Sequence, residues 1–426
     1  MNICCVVHNF FPHFYTGTER YILNVAKQLQ KMGHRVEVLT YGLKDTEGSG
    51  CNPSIIRYDY EYEGVPVVSY RHAVLPSEIH YRIFYPDLEL CFQDYFSQST
   101  FDLVQVAHPM RVGSSALKVA KSLGIPTVLT LTDFWFLCPR GRMYQPDFTI
   151  CHNPEEGNRC ISTCGTPLSV VKRYLEAKHV FFNLADKLLA PSRLLIEIFH
   201  RLEWGREIHL VKHGYLYGEV PPSRRSTGRT GPVRVGYLGA VSHVKGVDYL
   251  IDCFKQVSGD RIELDIYGGQ IDEKEWYDLL VKRAGNDPRI RFKGRYAIED
   301  LPEILGNLDV VVVPSNTLES YGLVVIESMA HHTPVIASDV VGAAYEYIDH
   351  QENGFIFNLN EPETLTQILR SLADEPEIVE RWRRNIKPPP RIEEEVFLLE
   401  NLYSGLCGAK NSKPAWAFSS ESDNGK

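Results

Sequence analysis

Residues 311–338, VVVPSNTLESYGLVVIESMAHHTPVIAS, decide how the rest of the chain is read. The apolar run Val310 to Val313 predicts a strand buried on both faces and closed by Pro314. Ser315, Asn316 and Thr317 make a polar loop, and Glu319-Ser320-Tyr321-Gly322 a turn. The pattern from Leu323 to about His331 predicts a helix, and Thr333 to Ser338 a second strand. Strand, loop, helix and strand form one βαβ unit, which places ligands where loops leave the carboxyl ends of parallel strands. Gly322 stands where the first helix N–H groups lack partners, so a phosphate can approach the backbone there. Two carboxylates bracket the turn, Glu319 in the loop and Glu327 on the helix. One near the phosphate pole and one set back suit a ligand with two hydroxyl-rich ends, such as a nucleotide sugar. Taken singly, each has a plainer reading: a solvated loop residue, or a carboxylate complementing the helix dipole for about 0.3–1 kcal/mol.

Beyond this unit, 426 residues suffice for two or three domains with substantial cores. A composition 44% hydrophobic and 23% charged is that of a soluble globular protein. The net charge of -9 gives no electrostatic case for nucleic acid. No apolar run approaches the roughly 20 residues of a membrane-spanning helix. The opening MNICCVVHNFFP enters a strand without a basic leader, so the expectation is a cytoplasmic chain with most of its ten cysteines reduced.

The first half reads as strands and helices in alternation. Residues 2–8 predict a buried strand, Glu19 to Met32 an amphipathic helix closed by Gly33, and Arg35 to Thr40 the next strand. The intervening loop lacks G-x-G-x-x-G, which argues against a dinucleotide; only Gly17 gives it a tight turn. Residues 44–64 read as an irregular insertion and Ser77 to Ser97 as a helix. Phe101 to Ala107 and Thr127 to Leu131 are further strands, ending at His108 and at Thr132-Asp133. A neutral hydroxyl cannot act as a general base unaided, so Asp133 and His108 are the acid–base candidates on this side. From Leu168 to Leu184, Lys172, Arg173 and Lys178 alternate with apolar residues, a pattern shared by peripheral membrane contacts and ordinary solvated helices.

Cys138, Cys151, Cys160 and Cys164 follow one another within 27 residues, inside an insertion at 138–167. Four thiolates suit a tetrahedral structural zinc, and they leave no open position for a catalytic one. Free buried thiols, disulfides or an iron–sulfur cluster are the alternatives that the spacing leaves open.

The polar stretch 221–232 reads as a linker. A strand follows at Val233 to Gly239, and then a loop that carries Lys245-Gly246 to the start of a helix, where an ammonium meets the positive dipole end. Gly268-Gly269 closes the strand Ile262 to Tyr267. The chain ends in a helix, Glu393 to Leu406, and a polar stretch, 408–426, expected to be disordered.

The motif P-S-x(3)-E-S-Y-G-L-V-V-I-E-S-M-A-x(3)-P-V-I-A-S resembles the donor site of the retaining glycosyltransferases of family 4, which have the GT-B fold. The resemblance spans about residues 1–407. It implies an α/β protein of two facing Rossmann-like domains: 1–212 for the acceptor, 213–390 for the nucleotide-sugar donor, and a helix at 391–407 returning to the first. It also implies transfer of a hexose-type sugar from a UDP- or GDP-type donor to a glycan, lipid-linked or small-molecule acceptor, with retention and with no catalytic cofactor. Carried over, Glu319 contacts the sugar, Glu327 the ribose, and the backbone of Tyr321, Gly322, Leu323 and Val324 the diphosphate. Lys245 neutralises that diphosphate, Gly17 faces it across the cleft, and Gly268 lies beside the donor. Two departures stand out: Thr132 replaces the family's usual His, and the Arg that often precedes the Lys is absent. A nucleotide-sugar epimerase of the same fold and a non-catalytic nucleotide-sugar-binding protein are the rival readings.

Overall fold

The computed structural model describes residues 1–44, 48–218, 231–269 and 274–411. Two sheets organise them. The first contains β1 (Asn2–Val6), β2 (Arg35–Tyr41), β3 (Ser49–Asn52), β4 (Ile55–Tyr62), β5 (Val65–His72), β6 (Leu103–Val106), β7 (Thr127–Thr130), β8 (Lys187–Ala190) and β9 (His209–Leu210). Their spatial order is β3-β4-β5-β2-β1-β6-β7-β8-β9. The second contains β10 (Val233–Leu238), β11 (Ile262–Tyr267), β12 (Ile290–Gly294), β13 (Val310–Val313), β14 (Val335–Ser338) and β15 (Gly354–Phe357), in the order β12-β11-β10-β13-β14-β15. Every pairing in the second sheet is parallel. In the first, only β3–β4 and β4–β5 are antiparallel. Core clusters cover both faces of each sheet, as parallel strands require.

Strand order fixes where ligands can sit. It reverses between β1 and β6 in the first sheet and between β10 and β13 in the second, so the loops leaving these pairs diverge and open a crevice. The reading of two Rossmann-like α/β domains in the GT-B arrangement therefore holds.

Three local expectations fail. Residues 44–64 are no irregular insertion: β3 and β4 extend the first sheet as a meander, with Tyr58, Tyr60 and Tyr62 at alternate positions. The helix expected over Ser77 to Ser97 runs only from Pro86 to Gln98, because proline suits a first helical turn and resists an interior position. The final helix starts at Ile392 and continues to Asn411, four residues into the stretch expected to be a tail. The rest of that stretch, and 221–230 of the linker, lie outside the described residues.

The chain crosses between domains near His213 and returns near Arg391, and the two crossings lie side by side. Tyr215 N–H donates to the Pro390 carbonyl at 2.8 Å, and Ile392 N–H to the Tyr215 carbonyl at 3.1 Å. Gly214 must be glycine there, since a Cβ would stand 2.5 Å from the Arg391 carbonyl. Glu395 clasps the crossing: buried, it accepts the Gly214 N–H at 2.7 Å and faces His213 Nδ1 at 3.1 Å. Beyond it, Val396, Leu399 and Tyr403 pack into the core of the first sheet. Glu395→Ala is expected to destabilise the protein by about 3 kcal/mol, since it strands buried donors. Urea unfolding checks this, and an unshifted midpoint would sink the clasp.

Candidate active site

The loops leaving β10 and β13 are sewn together. Asn316 N–H donates to the Val244 carbonyl at 3.1 Å, and Asn316 Nδ2 to the His243 carbonyl at 2.9 Å. This brings Lys245 Nζ to 2.7 Å from Glu319 Oε1, while Ser315 Oγ donates to Glu319 Oε2 at 2.6 Å. Burial alone pushes the Glu319 carboxyl upward. The Lys245 ammonium and the two hydrogen bonds outweigh it and hold the carboxyl below its ordinary range. The pair lines a cavity of about 220 Å³.

Next to it, Gly322, Leu323 and Val324 line a second hollow of about 320 Å³ with Gly17 and Glu319. Gly322 has φ +100°, a left-handed conformation that starts the helix Leu323–Ala330 and leaves its first N–H groups without helical acceptors. Gly17 approaches from the first domain, where a Cβ would sit 3.2 Å from Leu323 Cδ1. Tyr321 contributes backbone only, since its ring is buried and its hydroxyl donates to the His213 carbonyl at 3.2 Å. Farther along, Glu327 lines a third hollow, of about 360 Å³, with Arg20, Tyr215 and Glu299. Burial raises the Glu327 carboxyl, and Arg20 offsets part of the rise. Glu319, Gly17, the 321–324 backbone and Glu327 thus form one continuous wall.

The first domain contributes the opposite wall. His108 and Asp133, rivals in the sequence, are partners: His108 Nε2 lies 2.9 Å from Asp133 Oδ2. His108 Nδ1 accepts the Met110 N–H at 3.1 Å, so the ring proton sits on Nε2 and is donated to Asp133. Both ring nitrogens are then engaged, one as donor and one as acceptor. Asp133 also accepts the Trp135 N–H at 2.9 Å and lines both the 220 Å³ cavity and a neighbouring one of about 430 Å³. Thr132 donates to the Ala107 carbonyl at 2.9 Å and offers no base. The walls meet at Ser320, whose Oγ donates to the Thr132 carbonyl at 2.7 Å while its own carbonyl accepts Ser192 Oγ at 2.6 Å.

Gly268 packs closely, since a Cβ there would strike the Gly239 carbonyl. Other expectations need correction. Arg173 is no surface base: it is buried and donates to the Trp135, Phe136 and Tyr81 carbonyls. The four clustered cysteines are free thiols; burial pushes the Cys151 and Cys160 thiols up, and the neighbouring cysteines add to the rise. Among the described residues, however, no three His, Cys, Asp or Glu side chains are set as ligands of one ion, so only the donor chemistry speaks for zinc. Elsewhere Cys51 and Cys91 are bonded to each other, which sets this one pair apart from the expectation of mostly reduced cysteines. Among the described residues no helix is long and apolar enough to cross a membrane. Sequence reading missed His8 and Arg20. His8 follows β1 at the first sheet's reversal point, a position that itself marks a site, and its ring packs 4.2 Å from that of His108.

Comparison with known proteins agrees with this geometry. Residues 15–215 match the family model Glycosyltransferase Family 4, and residues 221–388 the model Glycosyl transferases group 1. An uncharacterized glycosyltransferase of Methanocaldococcus jannaschii is 29% identical over 86% of this chain and 87% of its own length. The GDP-mannose-dependent alpha-mannosyltransferase of Mycobacterium tuberculosis is 24% identical over 85% of each chain. HepE of Anabaena, solved in complex with UDP and glucose, superposes with a TM-score of 0.63 at 16% identity, covering 97% of this chain and all of that one.

Because its folded pKa is raised, Glu327 lends stability only at low pH, and that is lost as pH rises through the folded value. Glu327→Gln is therefore expected to raise the melting temperature at pH 7 and to leave it unchanged near pH 4. Melting curves at both pH values check this; equal shifts would refute it.

Proposed function

Since the chain belongs to the glycosyltransferases of family 4, with the GT-B fold, we propose that it moves a hexose-type sugar from a nucleoside diphosphate sugar to an acceptor hydroxyl with retention. The observation that carries this reading is the placement of Lys245, Glu319 and the start of the helix Leu323–Ala330 around two adjoining hollows that share Glu319 and Ser320, at the second sheet's reversal point. The diphosphate rests on the N–H groups of Gly322, Leu323 and Val324, beside Lys245. Glu327 takes the ribose hydroxyls, and Glu319 the sugar. One relative is named for its dependence on GDP-mannose, and the fold neighbour HepE is solved in complex with UDP and glucose; both support the nucleotide-sugar class.

In the reaction the bond from the anomeric carbon to the diphosphate oxygen breaks, and a bond from that carbon to the acceptor oxygen forms on the same face. The acceptor proton passes to the leaving phosphate, whose oxygen has just gained the electron pair. Asp133, held by His108 and Trp135, orients the acceptor hydroxyl toward that face. The chain has no Asp-x-Asp motif to hold a metal ion on the diphosphate, so the reading gives that charge to protein nitrogen atoms. For the four-thiol cluster we propose a structural zinc away from the chemistry. Metal analysis of the purified chain should find about one zinc per chain; a metal-free chain melting at the same temperature with and without added zinc would refute it.

A thermal-shift panel of UDP-, GDP- and ADP-sugars tests the donor class. A matching donor at 100 times its Kd stabilises by about 2.7 kcal/mol, and no shift with any of them would end the proposal. Lys245→Ala should keep the fold and lose about 10²–10³ in turnover. Near-normal turnover in that variant would overturn the role given to Lys245.

A further inference from the structure

Lys245 poses a problem of charge. Its ammonium is matched by Glu319 at 2.7 Å, so the pair together presents no net charge to an anion. A nucleoside diphosphate sugar brings two negative charges, and more develops on the diphosphate as the sugar leaves. Helix N–H groups supply roughly half a charge. A further cation has to come from elsewhere on the cavity wall.

The wall of the 220 Å³ cavity holds one. Arg142, from the cysteine-bearing insertion, lines it together with Lys245, Glu319 and Ser320. Its side chain is exposed, and Nη1 donates to the neutral Tyr144 hydroxyl at 2.9 Å; among the described residues no carboxylate pairs with it. Arg142, Gly141 and Asp133 also line the 430 Å³ cavity, which puts them on the partition between the two spaces.

The hairpin behind Arg142 is held in place. Tyr144 bridges to Ile150, and Gln145 N–H donates to the Thr149 carbonyl at 2.8 Å. At its tip Phe148, with φ +66°, presents its ring across the cleft, where it stacks on His243 at 4.7 Å and 13°. His243 in turn stacks on Trp276 at 3.5 Å. His243 belongs to the loop that carries Lys245, so the insertion is seated on the donor loop itself.

We propose that Arg142 is a donor-binding residue, its guanidinium reaching the diphosphate from the first domain opposite Lys245; this rests on the donor reading above. A planar guanidinium with paired N–H groups matches two phosphate oxygens better than an ammonium does. The insertion then completes the donor site, and the neutral Tyr144 hydroxyl holds the guanidinium without cancelling its charge.

Calorimetric titration of UDP, UMP, GDP and GMP into wild-type, Arg142→Ala and Arg142→Lys chains tests this. Arg142→Ala should bind the diphosphate that the wild type prefers about ten- to hundredfold more weakly, with the monophosphate's affinity nearly unchanged. Arg142→Lys should recover part of the loss, and the melting temperature should not move. A diphosphate-to-monophosphate ratio equal to that of the wild type overturns the assignment, and so does a loss shared equally by both nucleotides. A wild-type chain binding neither UDP nor GDP overturns the donor reading and this one together.

Discussion

The Lys245–Glu319 ion pair is the constraint on which the site depends. Two opposite charges, partly buried at the mouth of the second sheet, are tolerable only because each answers the other. Their meeting follows from strand order. β10 and β13 are neighbours although 71 residues lie between the last of β10 and the first of β13, so the loops leaving them must lie together. Asn316 fixes the two loops to each other. A bound diphosphate sugar would repartition this pair, with the ammonium turning toward phosphate and the carboxylate toward sugar hydroxyls.

How much of this was legible depends on the range of each interaction. The βαβ unit at 311–338 could be read because strand, turn glycine and helix all signal within a few residues. The Lys245 loop and the start of the first helix were visible for the same reason. The meander at β3 and β4 was obscured because Gly, Asp and Glu in 44–64 drew attention away from the alternating tyrosines. The partnership of His108 with Asp133 joins loops that leave adjacent strands, between residues 25 apart, and no local pattern encodes it. Arg173 looked like a solvated base because its neighbours Lys172 and Lys178 are basic, yet it anchors three buried carbonyls around Trp135. Sequence identifies groups able to carry charge; only packing tells which face outward.

Neither domain holds a complete site. Asp133 and Gly17 belong to the first, and Lys245, Glu319 and Glu327 to the second. Ser320 joins them through Thr132 and Ser192, one residue beyond Glu319. Glu346 adds a second tie, accepting the Arg193 N–H at 2.9 Å and facing Lys212 Nζ at 3.0 Å. The two walls face each other only while these ties hold the domains together.

The paired crossings at Tyr215 and Pro390–Ile392 carry a mechanical consequence. Two backbone segments stitched together act as a single pivot rather than two independent tethers. Sliding or shearing of one lobe past the other would tear that stitching, whereas a swing about it leaves the bonds intact. The lobes should thus gape like jaws on one pin, and the small polar latch at Ser320 would part as they open.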